Sequence, residues 1–159
     1  MAAPVCMEIF KLCVVTAILL MGVAEKPNMQ NVAQNKTCGM SSRYKADQES
    51  SGSCSDAING NTDTIFSVHP PNCIHTEEDD RSPFWWVDLG QRFTINTITI
   101  YGRQDLIARM KCVNVSLDGN LVQRFTDTSG WTNNKYDITV GRAGQLVNIT
   151  RDCEIMALL

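Results

Sequence analysis

The chain has 159 residues, a formal charge of −3 and 43% hydrophobic residues, which suits one domain with its own core and leaves little room for a second. The slightly acidic balance offers no basic footprint for nucleic acid or another polyanion.

Residues 1–24 are read first as a leader. Lys11 closes a weakly charged opening, Leu12 to Val23 is an apolar run, and Gly22 and Ala24 are small residues spaced for signal peptidase. The run is shorter than the roughly 20 apolar residues a membrane span needs. No second apolar stretch follows, so residues 25–159 are expected to be a single exported domain without a span. From Glu25 to Ser55 the chain is polar and turn-rich, with Ser50-Ser51-Gly52-Ser53 reading as a loop.

Strand periodicity then takes over. Trp85, Val87 and Leu89 alternate with Trp86 and Asp88. Phe93 and Ile95 flank Thr94, whereas Ile98 and Ile100 flank Thr99, so the phase slips near Asn96 and predicts a bulge or bend. Val113, Val115 and Leu117 alternate with Asn114, Ser116 and Asp118. Tyr136, Ile138 and Val140 form a further set, as do Val147 and Ile149. Asp118-Gly119-Asn120, Ser129-Gly130 and Arg142-Ala143-Gly144 read as turns between strands. No segment after the leader has a helical period, which predicts an all-β antiparallel sandwich or barrel. Glycosylation sequons begin at Asn35, Asn114 and Asn148, and the last two asparagines fall on the polar phase of their strands. Cys38, Cys54, Cys73, Cys112 and Cys153 follow the leader. Their spacing fits no zinc pattern, and an oxidising compartment predicts pairing with one left over.

Three segments, in order, resemble F-type lectin domains and their fucolectin, tachylectin and pentraxin-fusion relatives, within the discoidin-like galactose-binding folds. They are Asn31 to Lys36, Asp56-Ala57-Ile58-Asn59-Gly60-Asn61-Thr62-Asp63, and Pro83-Phe84-Trp85-Trp86-Val87-Asp88-Leu89-Gly90. The resemblance covers Asn31 to the C-terminus and implies a jelly-roll sandwich that binds fucose or a related sugar on glycans. It also implies an extracellular location and, by analogy, a part in innate immune recognition. The family's sugar motif is a histidine, then Arg-x-Asp, then a second basic residue. The matching positions are His75, Arg103, Asp105 and Arg109, with Lys111 as the alternative to Arg109. Twenty-seven residues separate His75 from Arg103, one more than in the family pattern, and the loop Thr76 to Ser82 can absorb the insertion. Three residues separate Asp105 from Arg109, one fewer than the pattern, and Lys111 lies one too far. Where the family carries adjacent cysteines, Leu106 and Ile107 stand and are expected to supply an apolar patch. The residue types suit a neutral deoxyhexose: guanidinium groups present planar donors, the imidazole adds one bond, and Asp105 orients the arginines.

The resemblance further implies a structural calcium ion held by Asp56, Asn59, Asn61, Asn72, the carbonyl of Cys153 and Glu154. Oxygen ligands of this kind suit Ca²⁺, although Asn59-Gly60-Asn61 has equally the composition of a tight turn. Asp63 and the run Glu77 to Asp80 are read as solvated loop charges. The family pairs Cys73 with Cys153, which leaves Cys38–Cys54 as the expected second bridge and Cys112 either free or linking two chains, so a homo-oligomer stays open. Trp85 and Trp86 are expected to place at least one ring in the core, and His69 on a loop. No nucleophile, zinc-protease or phosphate-loop motif is present, so an enzyme is not expected. A discoidin-like recognition module without sugar affinity, and a secreted hydrolase built on a distant carboxylate pair, are the competing readings.

Overall fold

A computed structural model describes residues 6–7, 10–15, 29–46, 49–50, 52–67, 72–77 and 79–152. The elements are β1 (Cys6–Met7), β2 (Phe10–Val15), β3 (Met29–Asn31), β4 (Thr37–Met40), β5 (Lys45–Ala46), β6 (Glu49–Ser50), β7 (Ile74–His75), β8 (Phe84–Tyr101), β9 (Val113–Leu117), β10 (Asn120–Arg124) and β11 (Lys135–Arg151). Two 3₁₀ turns, Cys54–Ile58 and Ile107–Met110, are the helical elements among the described residues. None is long and apolar enough to cross a membrane.

The main sheet runs β10-β9-β11-β8-β2-β3, and β4 also pairs with β8. All its pairings are antiparallel. One edge of β8 follows β11 along its length, from Phe84 opposite Thr150 to Tyr101 opposite Lys135. The other edge takes β4 against its first half and β2 against its second. β1 and β2 lie within the residues set aside as a leader, and β2 supplies backbone pairing from Ile95 to Ile100.

Alternation places the core. Trp85, Val87 and Leu89 from one half of β8, and Ile95, Ile98 and Ile100 from the other, join Val113, Val115, Leu117, Ile138, Val147 and Ile149 in one buried cluster. The phase slip is a bulge: the register against β2 steps from Thr97 to Ile95 and skips Asn96, and the register against β11 breaks at the same place. The expected turn at Arg142-Ala143-Gly144 is instead continuous strand, as is Gly90 to Arg92. Two register shifts in β11 absorb the bend there. A side chain at Gly144 would lie 2.4 Å from Leu117, so the strand crosses the core edge only with glycine. Asp118-Gly119 does turn, with φ of 50° and 77°. Asp118 closes that hairpin by accepting from the Gln145 and Leu146 amides and pairing with Arg92, which together hold its carboxyl below the ordinary range.

Candidate functional site

The site is assembled from two loops that lack any alternating pattern. The first, residues 52–67, is tethered by the Cys38–Cys54 disulfide, whose Cα atoms are 5.8 Å apart. That bridge was expected, and it anchors the 3₁₀ turn Cys54–Ile58 to β4. Trp85 reinforces the anchor: it is fully buried and its indole N–H donates to the Cys54 carbonyl at 3.0 Å. Trp86 is the half-buried, outward member of the pair.

Asp56 caps the turn, its Oδ2 accepting from the Ser53 amide at 2.7 Å and the Ser53 hydroxyl at 2.9 Å. A ladder of side-chain turns follows. Asn59 Oδ1 accepts from Asn61 N–H at 2.7 Å, Asn61 Oδ1 from Asp63 N–H at 2.9 Å, and Asp63 Oδ1 from Ile65 N–H at 2.9 Å. Asp63 is therefore a structural residue of the loop rather than only a solvated charge. So is Asp80, which takes the hydroxyls of Ser41 and Ser42. Burial opposes ionisation of Asp80, but these bonds and one from the Ser82 amide keep its carboxyl below the ordinary range. Asn72 is buried and clasps the C-terminal end of the loop twice, donating to the Ile65 carbonyl at 2.6 Å and accepting from the Ser67 amide at 2.9 Å.

The second loop, residues 102–111, docks on the first through Gln104 N–H to the Thr64 carbonyl at 2.9 Å. Between the two lies a groove of about 550 Å³ lined by Thr64, Ile65, Phe66, Arg103, Gln104 and Asp105. Arg103 grips Asp105 with both ends of its fork, Nε to Oδ1 at 2.5 Å and an Nη to Oδ2 at 2.7 Å. Its guanidinium lies 4.2 Å from the centre of the Phe66 ring. The bond from Arg103 holds the Asp105 carboxyl below its ordinary value, burial opposes this, and the charges of Arg103 and Arg109 add to the lowering. Ile65 stands 66% exposed on the groove wall, a large apolar side chain in water beside a cation.

The expected sugar residues thus divide. Arg103 and Asp105 form one unit, and Arg109 acts on it electrostatically. Lys111 acts instead on Asp127, whose carboxyl is lowered mainly by Ser129 and also by that lysine. His75 is 5% exposed, sits in β7 with its ring 4.4 Å from that of Tyr44, and is not among the described residues lining the groove. Ile107 packs against the core and leaves no room for a side chain at Gly102, so it is not the open patch expected of it. The apolar surface comes instead from Ile65 and Phe66, which the sequence reading passed over. Their signal was an aromatic beside a large aliphatic residue in a stretch with no strand period.

Among the described residues no three His, Cys, Asp or Glu side chains converge as a metal group. The expected calcium ligands are mostly carboxamide and carbonyl oxygens; Asp56, Asn59 and Asn61 share one loop, while Cys153, Glu154 and also His69 lie outside the described residues. Cys73 is disulfide-bonded. Cys112, expected free or joining two chains, is disulfide-bonded within this single chain. It occupies a left-handed turn (φ 66°) before β9 rather than the outward face of a strand.

Comparison with known proteins agrees with this architecture. Residues 56–152 match the family described as NedA-like, galactose-binding domain. The chain belongs to that family. Its relatives include Fucolectin-2 of Anguilla japonica, 37% identical over 76 residues, covering 48% of this chain and 40% of the relative. Fucolectin of Anguilla anguilla is 31% identical over 83 residues, covering 52% and 51%. The chain spans only about two-fifths to one-half of the length of these curated relatives. Among solved structures, the lectin domain of lectinolysin complexed with Lewis B antigen superposes with a TM-score of 0.64 at 22% identity, over 78% of this chain and 86% of that one. An f-lectin from striped bass (Morone saxatilis) serum gives 0.63 at 23%, over 77% and 43%. The antiparallel architecture, with no α-helix among the described residues, is that of F-type lectin and discoidin-like domains.

Proposed function

We propose that this chain is a carbohydrate-binding protein, not an enzyme, and that the groove at Arg103 takes a fucose or similar deoxyhexose at the end of a glycan. The observation that carries the reading is the Phe66–Arg103–Asp105 stack. Asp105 and Phe66 fix the guanidinium in one orientation, and its remaining N–H groups are pre-set donors beside the apolar edge of Ile65. A deoxyhexose matches both halves, with hydroxyls for the arginine and a methyl group for the isoleucine. The printed names of the relatives, fucolectins and a domain complexed with Lewis B antigen, support the same ligand class. Burial of His75 favours one competing reading, a discoidin-like recognition module whose ligand is not a sugar.

The rest of the reading follows from the same resemblance. The residues of the 52–67 loop fit calcium by donor type, since Asp56, Asn59 and Asn61 offer hard oxygens on a loop already shaped by its own turns. The ion would be held there together with Asn72, Cys153 and Glu154, and it would brace the loop rather than touch the sugar. Export with removal of residues 1–24 would give a mature chain beginning at Glu25. Removal would also strip β2 from the edge of β8. Extracellular recognition of fucosylated glycans, as in innate immunity, is the role this assigns.

The test is titration of the purified chain with methyl fucoside and a fucosylated glycan array, with and without a calcium chelator. Arg103→Ala should lower fucoside affinity about 100-fold or more, because charge-assisted bonds contribute roughly 1.5–3 kcal/mol each. Undiminished fucoside binding by Arg103→Ala would move the sugar site away from this groove, whereas no sugar response from the unaltered chain favours the non-sugar module.

A further inference from the structure

The outer face of the β8-β11-β9-β10 sheet has an unusual distribution of polarity. Two rows of side chains cross it. Trp86 lies opposite Asn148, Asn148 opposite Ser116, and Ser116 opposite Leu121. Phe84 lies opposite Thr150, Thr150 opposite Asn114, and Asn114 opposite Arg124. The two sequons, Asn114-Val115-Ser116 and Asn148-Ile149-Thr150, therefore interlock: each asparagine faces the hydroxyl residue of the other. Around them stand apolar side chains in water, with Phe84 37%, Leu121 59% and Leu146 40% exposed. Trp86, Leu146, Asp88 and Asn148 line a shallow depression of about 340 Å³. The Oδ1 atoms of Asn114 and Asn148 are buried and have no hydrogen-bond partner.

A protein-binding patch has the reverse layout, an apolar centre within a polar rim. Here the centre is two asparagines, a serine and a threonine, and the rim is Trp86, Phe84, Leu121 and Leu146, interrupted by the charged Asp88 and Arg124. That layout suits an occupant rooted at the centre and spreading outwards. An N-linked oligosaccharide is such an occupant: its pyranose C–H faces pack on indole, phenyl and leucine, and its hydroxyl and acetamido groups bond polar neighbours.

We infer that Asn114 and Asn148 both carry N-linked glycans, and that these glycans cover the apolar rim of this face. The inference rests on the export reading given above. In each transfer the asparagine Nδ2 bonds to the anomeric carbon of a lipid diphosphate-linked oligosaccharide. The bond from that carbon to the phosphate oxygen breaks, the lipid diphosphate leaves, and Nδ2 loses one proton. The exposed turn at Asn35 carries the remaining sequon and serves as an internal comparator.

The test is expression of the full chain in a glycosylating eukaryotic host, with site mapping by peptide mass after amidase release of glycans in heavy-oxygen water. Both asparagines should carry the isotope label, and the recovered chain should be monomeric by light scattering. Amidase treatment of the folded protein should shift it to dimers or larger species. The double variant S116A/T150V, which keeps both asparagines but destroys both sequons, should behave the same way. Recovery from the medium with Asn114 and Asn148 bare, whether or not Asn35 is occupied, overturns the inference and leaves export standing. So does a deglycosylated chain and an S116A/T150V chain that both stay monomeric. A chain that never reaches the medium removes export and the inference with it.

Discussion

In the β8–β11 ladder, order comes from burial: Trp85, Val87, Ile95, Ile98, Val147 and Ile149 are all within 2% of complete burial, and the backbone bonds are side products of that packing. In the loops 52–67 and 102–111, few large side chains are buried, and order comes from short polar contacts. These are the Ser53–Asp56 cap, the Asn59-Asn61-Asp63 ladder, the Asn72 clasp and the Arg103–Asp105 fork. The difference is one of tolerance. Truncating one core side chain costs the sheet about 2–5 kcal/mol but leaves its shape to many other contacts, whereas a loop held by single hydrogen bonds loses its local shape when one is removed. It also explains where a binding groove can form, because the loops leave Ile65 and the guanidinium face of Arg103 unspent by the core.

The comparison breaks most visibly at the covalent tether. Replacing Cys38 and Cys54 by serine should cost about 3 kcal/mol, the loop-closure contribution for a separation of 16 residues, read as a lowered urea midpoint. The sheet should refold in that variant while fucoside affinity falls, since the tether holds the groove's first wall. A variant that loses the sheet and the groove together would show the two regions are one cooperative unit.

A smaller effect separates the two candidate second cations. Arg109→Ala should weaken fucoside binding about threefold to fivefold, because its charge is the smallest influence on Asp105 and acts across solvent. Lys111→Ala should leave affinity within about twofold, because its charge bears on Asp127. The reverse order would move the site towards β9.

The smallest effect is expected from acid. The Asp105 carboxyl is held below its ordinary value of 3.8, so its ionised form, and the fork on Arg103, persist above that value and are lost as pH falls through the lowered one. Titrated binding should therefore be level from neutrality down to the ordinary carboxylate value. A loss at a pH well above the carboxylate range would show that a group other than Asp105 controls binding.

Much of this was legible in the residues themselves. Alternation of apolar and polar residues selected the strands and their buried faces, because a strand presents its side chains with a period of two. The slip at Asn96 marked the bulge for the same reason, and the landmarks from Asn31, Asp56 and Pro83 pointed to the family. What alternation cannot encode is whether a glycine ends a strand or lets it pass close to a neighbour. Arg142-Ala143-Gly144 reads as a turn and is strand, because Gly144 must clear Leu117.

Only the tertiary structure decided which groups share the groove. The chain distance from Phe66 to Arg103 says nothing of their stacking, and sequence spacing does not show that the charge of Arg109 bears on Asp105 while that of Lys111 bears on Asp127. Likewise, each sequon is local, but their reciprocal pairing is a property of register between β9 and β11. Local periodicity is written by the solvent's preference for one face of each strand. Convergence is written by contacts between residues far apart in the chain, which appear only when the strands are in register.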